Sequence, residues 1–217
     1  MPRKKRAVKE EEDEDVVQIQ SPNYKVMEIP IIGLSPYIPH RLSSESMQTI
    51  EDKVTGNARG KNKKVRNFDE EYERCFYRDE DGDYAIPGVA FKRAITDEGA
   101  NQYSLGNKDI SKKMIARNIH ILGSFCKLKY DKVRRRVDYP RQGGATGAPD
   151  IRHRPEFIGW KTKITVRYDA DNFTKEAILN LIQRAGMTIG VGDWRPGSPK
   201  SPGGSYGMWE IGKTNKE

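Results

Sequence analysis

Phe157-Ile-Gly-Trp-Lys-Thr-Lys-Ile-Thr-Val-Arg-Tyr168 alternates along its whole length. Its even positions hold Ile158, Trp160, Thr162, Ile164, Val166 and Tyr168, and its odd positions include Lys161, Lys163, Thr165 and Arg167. Side chains on a strand point to opposite faces with period two, so this is a strand with one face on a core and a cationic face outside. The helix signal that follows is equally clear. Thr174 stands at an N-cap, Phe173 and Ile178 are spaced as a hydrophobic staple, and Gly186 is placed to end the helix. Ile178, Leu181, Ile182 and Ala185 form its apolar stripe.

Further elements flank this pair. Tyr24–Leu34 reads as a buried strand, closed by Pro36 and Pro39, and Ser43–Ile50 as a short helix. Phe68–Phe76 is a helix candidate, and Tyr77–Ile86 a hairpin around Asp81-Gly82. Pro87 suits the first turn of a helix carrying Phe91, Ala94 and Ile95. Asn107–Asn118 offers another helix, Ile119–Tyr130 a long strand, and Tyr206–Ile211 the last strand. Residues 51–67 and 131–156 read as inserted loops, 1–20 as a disordered charged tail and 213–217 as a disordered end, leaving one domain over 21–212. The order strand, helical region, strand, strand, helix, strand is that of a ferredoxin-like (RRM-like) α+β fold. Such a fold has a four-stranded antiparallel sheet with helices on one face, here with a glycine-rich loop before the last strand.

Composition narrows the function. Of 217 residues 35% are hydrophobic, and the net charge is +8. No run approaches the ~18 apolar residues of a membrane span, and no apolar segment follows the charged start as in a secreted chain. The two cysteines, Cys75 and Cys126, are far apart, so a reduced, cytoplasmic setting is expected. The first fifteen residues hold five basic and six acidic groups, a net −1 that leaves +9 on the rest of the chain. A body this basic favours a polyanion, and nucleic acid is the first candidate.

Several motifs are weaker than they look. Gly207-Met-Trp-Glu-Ile-Gly-Lys-Thr214 satisfies a phosphate-loop pattern, but its middle reads as a strand and too few residues follow for a helix. Gly190-Val-Gly192 opens like a dinucleotide fingerprint, yet Arg195 stands at the third glycine. Asp79–Asp83 resembles a calcium loop whose twelfth position, Ala90, lacks the carboxylate. His40 is a histidine with no companion acid nearby in sequence. No catalytic residue, metal or cofactor is therefore expected.

The binding residues are expected where charge, aromatics and glycine coincide. Lys127, Lys129, Arg134, Arg135, Arg136, Lys161, Lys163 and Arg167 lie on strands and their connections, as one phosphate-neutralising track. Trp194 and Tyr206 flank the Gly192–Gly207 loop as base-stacking candidates, with Arg195 and Lys200 among its glycines. Trp160 and Trp209 alternate with polar positions and read as core.

Ile29-Pro-Ile-Ile-Gly-Leu-Ser-Pro-Tyr-Ile-Pro-His-Arg41, Gly190-Val-Gly-Asp-Trp-Arg-Pro196 and Gly203-Gly-Ser-Tyr-Gly207 resemble a family of tailed-phage and prophage proteins. A glycine-rich loop before the last strand also resembles the CRISPR repeat-associated (RAMP) RNA-binding superfamily, although Pro196, Pro199 and Pro202 stretch its glycine spacing. Taken with the residues above, these resemblances lead to the expectation of a phage-encoded, non-enzymatic protein of the host cytoplasm. It would bind single-stranded DNA or RNA, use no nucleotide cofactor and no membrane, and assemble into an oligomer or filament. A metal-independent RNA-processing enzyme and a protein-assembly factor stay open as alternatives.

Overall fold

A computed structural model describes residues 21–41, 44–56, 66–98, 104, 105, 108, 109, 111–140, 147, 149–199 and 203–213. The expected tail 1–20, residues 57–65 of the expected loop 51–67, Lys200 and the last four residues lie outside them. In chain order the elements are β1 (Tyr24–Gly33), α1 (Ser44–Val54), α2 (Phe68–Arg74), β2 (Ala85–Pro87), α3 (Gly88–Glu98), β3 (Ser104–Leu105) and β4 (Lys108–Asp109). They continue with α4 (Lys112–Asn118), β5 (Ile119–Leu122), β6 (Phe125–Lys127), β7 (Lys132–Asp138), β8 (Arg152–Ile158), β9 (Lys161–Asp169), α5 (Lys175–Thr188) and β10 (Trp209–Ile211).

Period-two alternation carries the main sheet. On β9 Thr162, Ile164, Val166 and Tyr168 are buried while Lys161 and Lys163 are exposed. Strand β1 pairs antiparallel along it from Tyr24↔Asp169 to Ile32↔Lys161. The sheet order is β10-β1-β9-β5, with every pairing antiparallel. Helices α3 and α5 supply Phe91, Ala94, Ile95, Ile178, Leu181, Ile182 and Ala185 to a core shared with Ile29, Ile31, Ile164, Val166 and Trp209. The architecture is mixed α+β with antiparallel sheets. Among the described residues no helix is long and apolar enough to cross a membrane.

The structure corrects several readings. The alternating stretch is two strands, since the chain turns at Gly159 (φ 63°), where a Cβ would strike the Asp131 carboxylate. Likewise Ile119–Tyr130 breaks at Gly123 (φ 86°) into β5, on the main sheet, and β6, which pairs with β2. Residues 131–156 are not simply a loop: β7 and β8 pair in a seven-residue register, Lys132↔Ile158 to Asp138↔Arg152. The run Arg134-Arg135-Arg136 conceals that strand because its cations meet carboxylates instead of apolar neighbours. Helix α1 continues to Val54, α4 begins only after its Ser111 cap, and Pro87 ends β2 instead of opening α3.

Helix α5 is capped by Thr174, whose hydroxyl accepts from the Ala177 amide at 3.2 Å. It does not stop at Gly186; that glycine lets Trp209 lie flush against the helix, where a Cβ would collide with the Trp209 carbonyl. Trp160 is fully buried, donates from Nε1 to the Ser35 carbonyl at 2.7 Å and packs on Tyr37 at 5.9 Å. It closes the joint between the main sheet and the β7–β8 hairpin. Trp160→Ala is expected to destabilise the fold by about 3–5 kcal/mol, as large aromatic deletions in cores do. A loss below about 1 kcal/mol in urea melts would show that Trp160 does not close this joint.

Candidate nucleic-acid interface

The hairpin register sorts the arginines by face. Arg134, Arg136 and Asp138 share one side of the ladder with Glu156, Arg154 and Arg152, and Arg135 takes the other. Three of these charges are buried: Glu156 and Arg154 are each 1% exposed, and Asp138 is buried too. A buried charge must be paired and hydrogen-bonded, or it is strongly destabilising. Glu156 takes the Nε of Arg134 and lies 3.5 Å from Nη1 of Arg136, whose Nε donates to Asp138 Oδ1 at 2.6 Å. Arg154 donates to Asp193 Oδ2, on the loop before β10.

That loop is stitched to the chain leaving β1. The amide of Asp193 donates to the Ile38 carbonyl at 2.8 Å, Gly207 to Pro36 at 2.8 Å, and Val191 to Gly207 at 2.9 Å. Gly192 (φ 81°) allows this approach, because a Cβ there would lie 2.6 Å from the Ile38 carbonyl and against the Tyr37 ring. Trp194 adopts φ 53°, a left-handed conformation that a bulky residue keeps only when its surroundings dictate it. Those surroundings are specific. The Trp194 amide donates to Asp193 Oδ1 at 3.2 Å, and its carbonyl accepts from the Tyr206 amide at 3.2 Å.

Trp194 and Tyr206, predicted as stackers, stand together with ring centroids 6.2 Å apart. The Arg136 guanidinium lies 4.8 Å from both centroids and donates to the Tyr206 hydroxyl. Arg154 approaches the Trp194 ring at 5.5 Å. These are cation–π distances, so the two rings and two guanidiniums form one cluster between hairpin and loop. Arg134, whose side chain is 56% exposed, stands on the same side of the hairpin. Arg195 bonds the Gly192 carbonyl at 3.1 Å.

The remaining predicted cations are elsewhere, so the single track is divided. Arg135 pairs with Asp69, donates to His153 Nδ1 at 2.8 Å and covers the Tyr72 ring on the opposite side of the hairpin. Lys127 pairs with Asp83. Lys163 pairs with Glu28 at 2.9 Å, and Arg167 lies over Tyr24 at 4.9 Å, on the outer face of the sheet. Exposed Lys129 and Lys161 form a bridge joined through their backbones. Strand periodicity and interspersed carboxylates separate what adjacency in sequence placed together.

Sequence reasoning missed two residues here. Asp193 is the companion acid of His40, with Oδ2 3.9 Å from His40 Nδ1 although 153 positions separate them. Arg154 is the buried cation that shares that carboxylate. Asp193 stands inside the Gly190–Arg195 motif, which was the available signal. Burial pushes the His40 imidazole below its ordinary pKa, with Arg154 and Arg152 adding to the effect and Asp193 opposing it. Away from this cluster, Asp79, Asp81 and Asp83 bring carboxylate oxygens within 4.8 Å of one another. There Asp79 Oδ1 accepts the Asp81 and Asp83 amides and organises the turn.

No family model matches the chain, and no curated protein matches it; neither comparison carries the likeness to tailed-phage proteins. Among solved structures, a chain of the type III-B Cmr-beta complex bound to cognate target RNA is similar, with TM-score 0.53 and 11% identity over 88% of this chain. The protein spans 60% of that neighbour's length. Cmr6 from Pyrococcus furiosus gives TM-score 0.46 and 12% identity, covering 89% of this chain and all of that one. A chain of a CRISPR RNA-guided surveillance complex gives 0.34 and 8%, covering 85% and 66%. The first likeness is one of fold alone.

Asp193→Ala would strand the buried Arg154 guanidinium. A loss of about 3–5 kcal/mol is expected in urea unfolding, the usual result of removing one member of a buried pair. A loss below about 1 kcal/mol would mean that Arg154 finds water or another acceptor.

Proposed function

We propose that this chain is a non-catalytic nucleic-acid-binding protein with a ferredoxin-like, RAMP-type body, working as a subunit of a larger nucleoprotein assembly. It would grip a single strand across the rim between the β7–β8 hairpin and the glycine-rich loop. The carrying observation is the Arg136 guanidinium held 4.8 Å from both the Trp194 and Tyr206 rings. Aromatic and guanidinium planes side by side suit unstacked bases, and stacking contributes about 1–3 kcal/mol per base. The strand order β10-β1-β9-β5, fourth-first-third-second in the main sheet, supports the ferredoxin-like reading. The fold likeness to a chain in an RNA-bound complex supports the choice of ligand.

In this reading Arg134 and Arg195 hold phosphates, and Trp194 and Tyr206 stack on bases. Lys129, Lys161, Lys163 and Arg167 form a secondary basic surface. Arg134 is the accessible member of its pair, so phosphate can compete for it while Glu156 keeps Arg136. Arg136 itself orders the two rings.

Arg134→Gln should weaken binding of a 20-nucleotide single strand at low salt several-fold. It should also reduce the slope of log K against log salt by about 0.7, the value of one phosphate contact on a single strand. Arg135→Gln, on the other side of the hairpin, should leave both unchanged. Equal effects of the two variants in fluorescence anisotropy would refute this interface.

A second reading rests on His40. Its side chain is 45% exposed, and Asp193 lies 3.9 Å away. Its lowered pKa keeps the imidazole neutral at pH 7, able to take a proton from a ribose hydroxyl. Cleavage of RNA in the presence of EDTA, abolished by His40→Ala, would establish metal-independent processing; stable RNA with the wild type would dismiss it.

A further inference from the structure

A small crevice lies beside this rim, between α3 and the turn that follows α5. It holds about 100 Å³ and is lined by Ala90, Arg93, Ala94 and Asp97 from the helix and by residues 189–192 and Arg195 from the turn. Its size is far below the roughly 300–1,000 Å³ of pockets that enclose whole small molecules. A whole nucleoside does not fit, whereas one tetrahedral oxyanion does.

The lining has the charge for such a group. Arg93 is exposed and has no carboxylate partner among the described residues, unlike Arg134, Arg135, Arg136 and Arg154. Its natural partner would be Asp97, one helical turn further on. That carboxylate, the one anionic group on the wall, is taken instead by Lys112 at 3.0 Å. Arg195 uses one Nη1 bond on the Gly192 carbonyl, leaving other guanidinium N–H groups for a ligand. Ala90 and Ala94 keep the helix wall low, and Gly190 and Gly192 contribute only backbone to the opposite wall.

We infer that this crevice binds a terminal phosphate monoester of the nucleic acid, with Arg93 and Arg195 as its two cations. A monoester carries about −1.5 to −2 charge at neutral pH and three acceptor oxygens, which two guanidiniums match. An internal diester carries one charge and must run out of the site in both directions. The crevice thus recognises a strand end, next to the rim that holds the strand. This assignment rests on the nucleic-acid reading above and gives it polarity.

The experiment compares one single-stranded sequence carrying a 5′-phosphate, a 3′-phosphate or hydroxyls at both ends, titrated into the full-length wild type and Arg93→Gln. One phosphorylated end is expected to bind at least tenfold more tightly than the hydroxyl-ended strand. Arg93→Gln should remove that preference while leaving hydroxyl-ended binding unchanged, and millimolar inorganic phosphate at constant ionic strength should reproduce the loss in the wild type. Equal affinity for all three strands overturns the terminal site and leaves the rim intact. A preference that survives Arg93→Gln overturns the assignment to this crevice, and failure of every strand to bind overturns both readings.

Discussion

Three buried charges on one side of the β7–β8 ladder constrain this protein more than any other feature. Arg154, Glu156 and Asp138 lie out of water, and each requires a partner of opposite sign from the hairpin or from the loop it faces. Arg154 finds Asp193; Glu156 and Asp138 find Arg136. Meeting those demands ties the loop before β10 to the hairpin. Trp194 is thereby fixed at a conformation it would not choose, and Arg136 is brought against the Trp194 and Tyr206 rings. The candidate interface follows from electrostatics that the fold has to satisfy anyway.

The legible part of the fold was the part governed by local periodicity. Strand β9 and helix α5 follow from alternation and from a capped apolar stripe, because each buries one face on a continuous core. Positive-φ glycines were harder to place. Gly159 and Gly123 cut two long apparent strands, and nothing in a period-two pattern distinguishes a strand glycine from a turn. The hairpin was hidden for a different reason: its three successive arginines are matched by carboxylates, Glu156, Asp69 and Asp138, so it shows little hydrophobic alternation.

The site was legible in its residue types and not in its grouping. Trp194 and Tyr206 could be singled out because they bracket a glycine-rich loop, and they meet in space. The basic residues could not be sorted, since a strand sends Arg135 to one side and Arg134 and Arg136 to the other. His40 and Asp193 come together only because the chain leaving β1 is bonded to the loop through Pro36 and Ile38. Such a contact depends on tertiary hydrogen bonds that no spacing rule encodes.

The hairpin–loop rim and the outer face of the sheet, with Tyr24 and Arg167, both carry cations beside an aromatic ring. Photocrosslinking of a single-stranded oligonucleotide bearing a halogenated or thio-substituted base, followed by peptide mass spectrometry, separates them. The account predicts adducts on Trp194 or Tyr206 and few on Tyr24. Adducts concentrated on Tyr24, with the loop peptides unmodified, would contradict it.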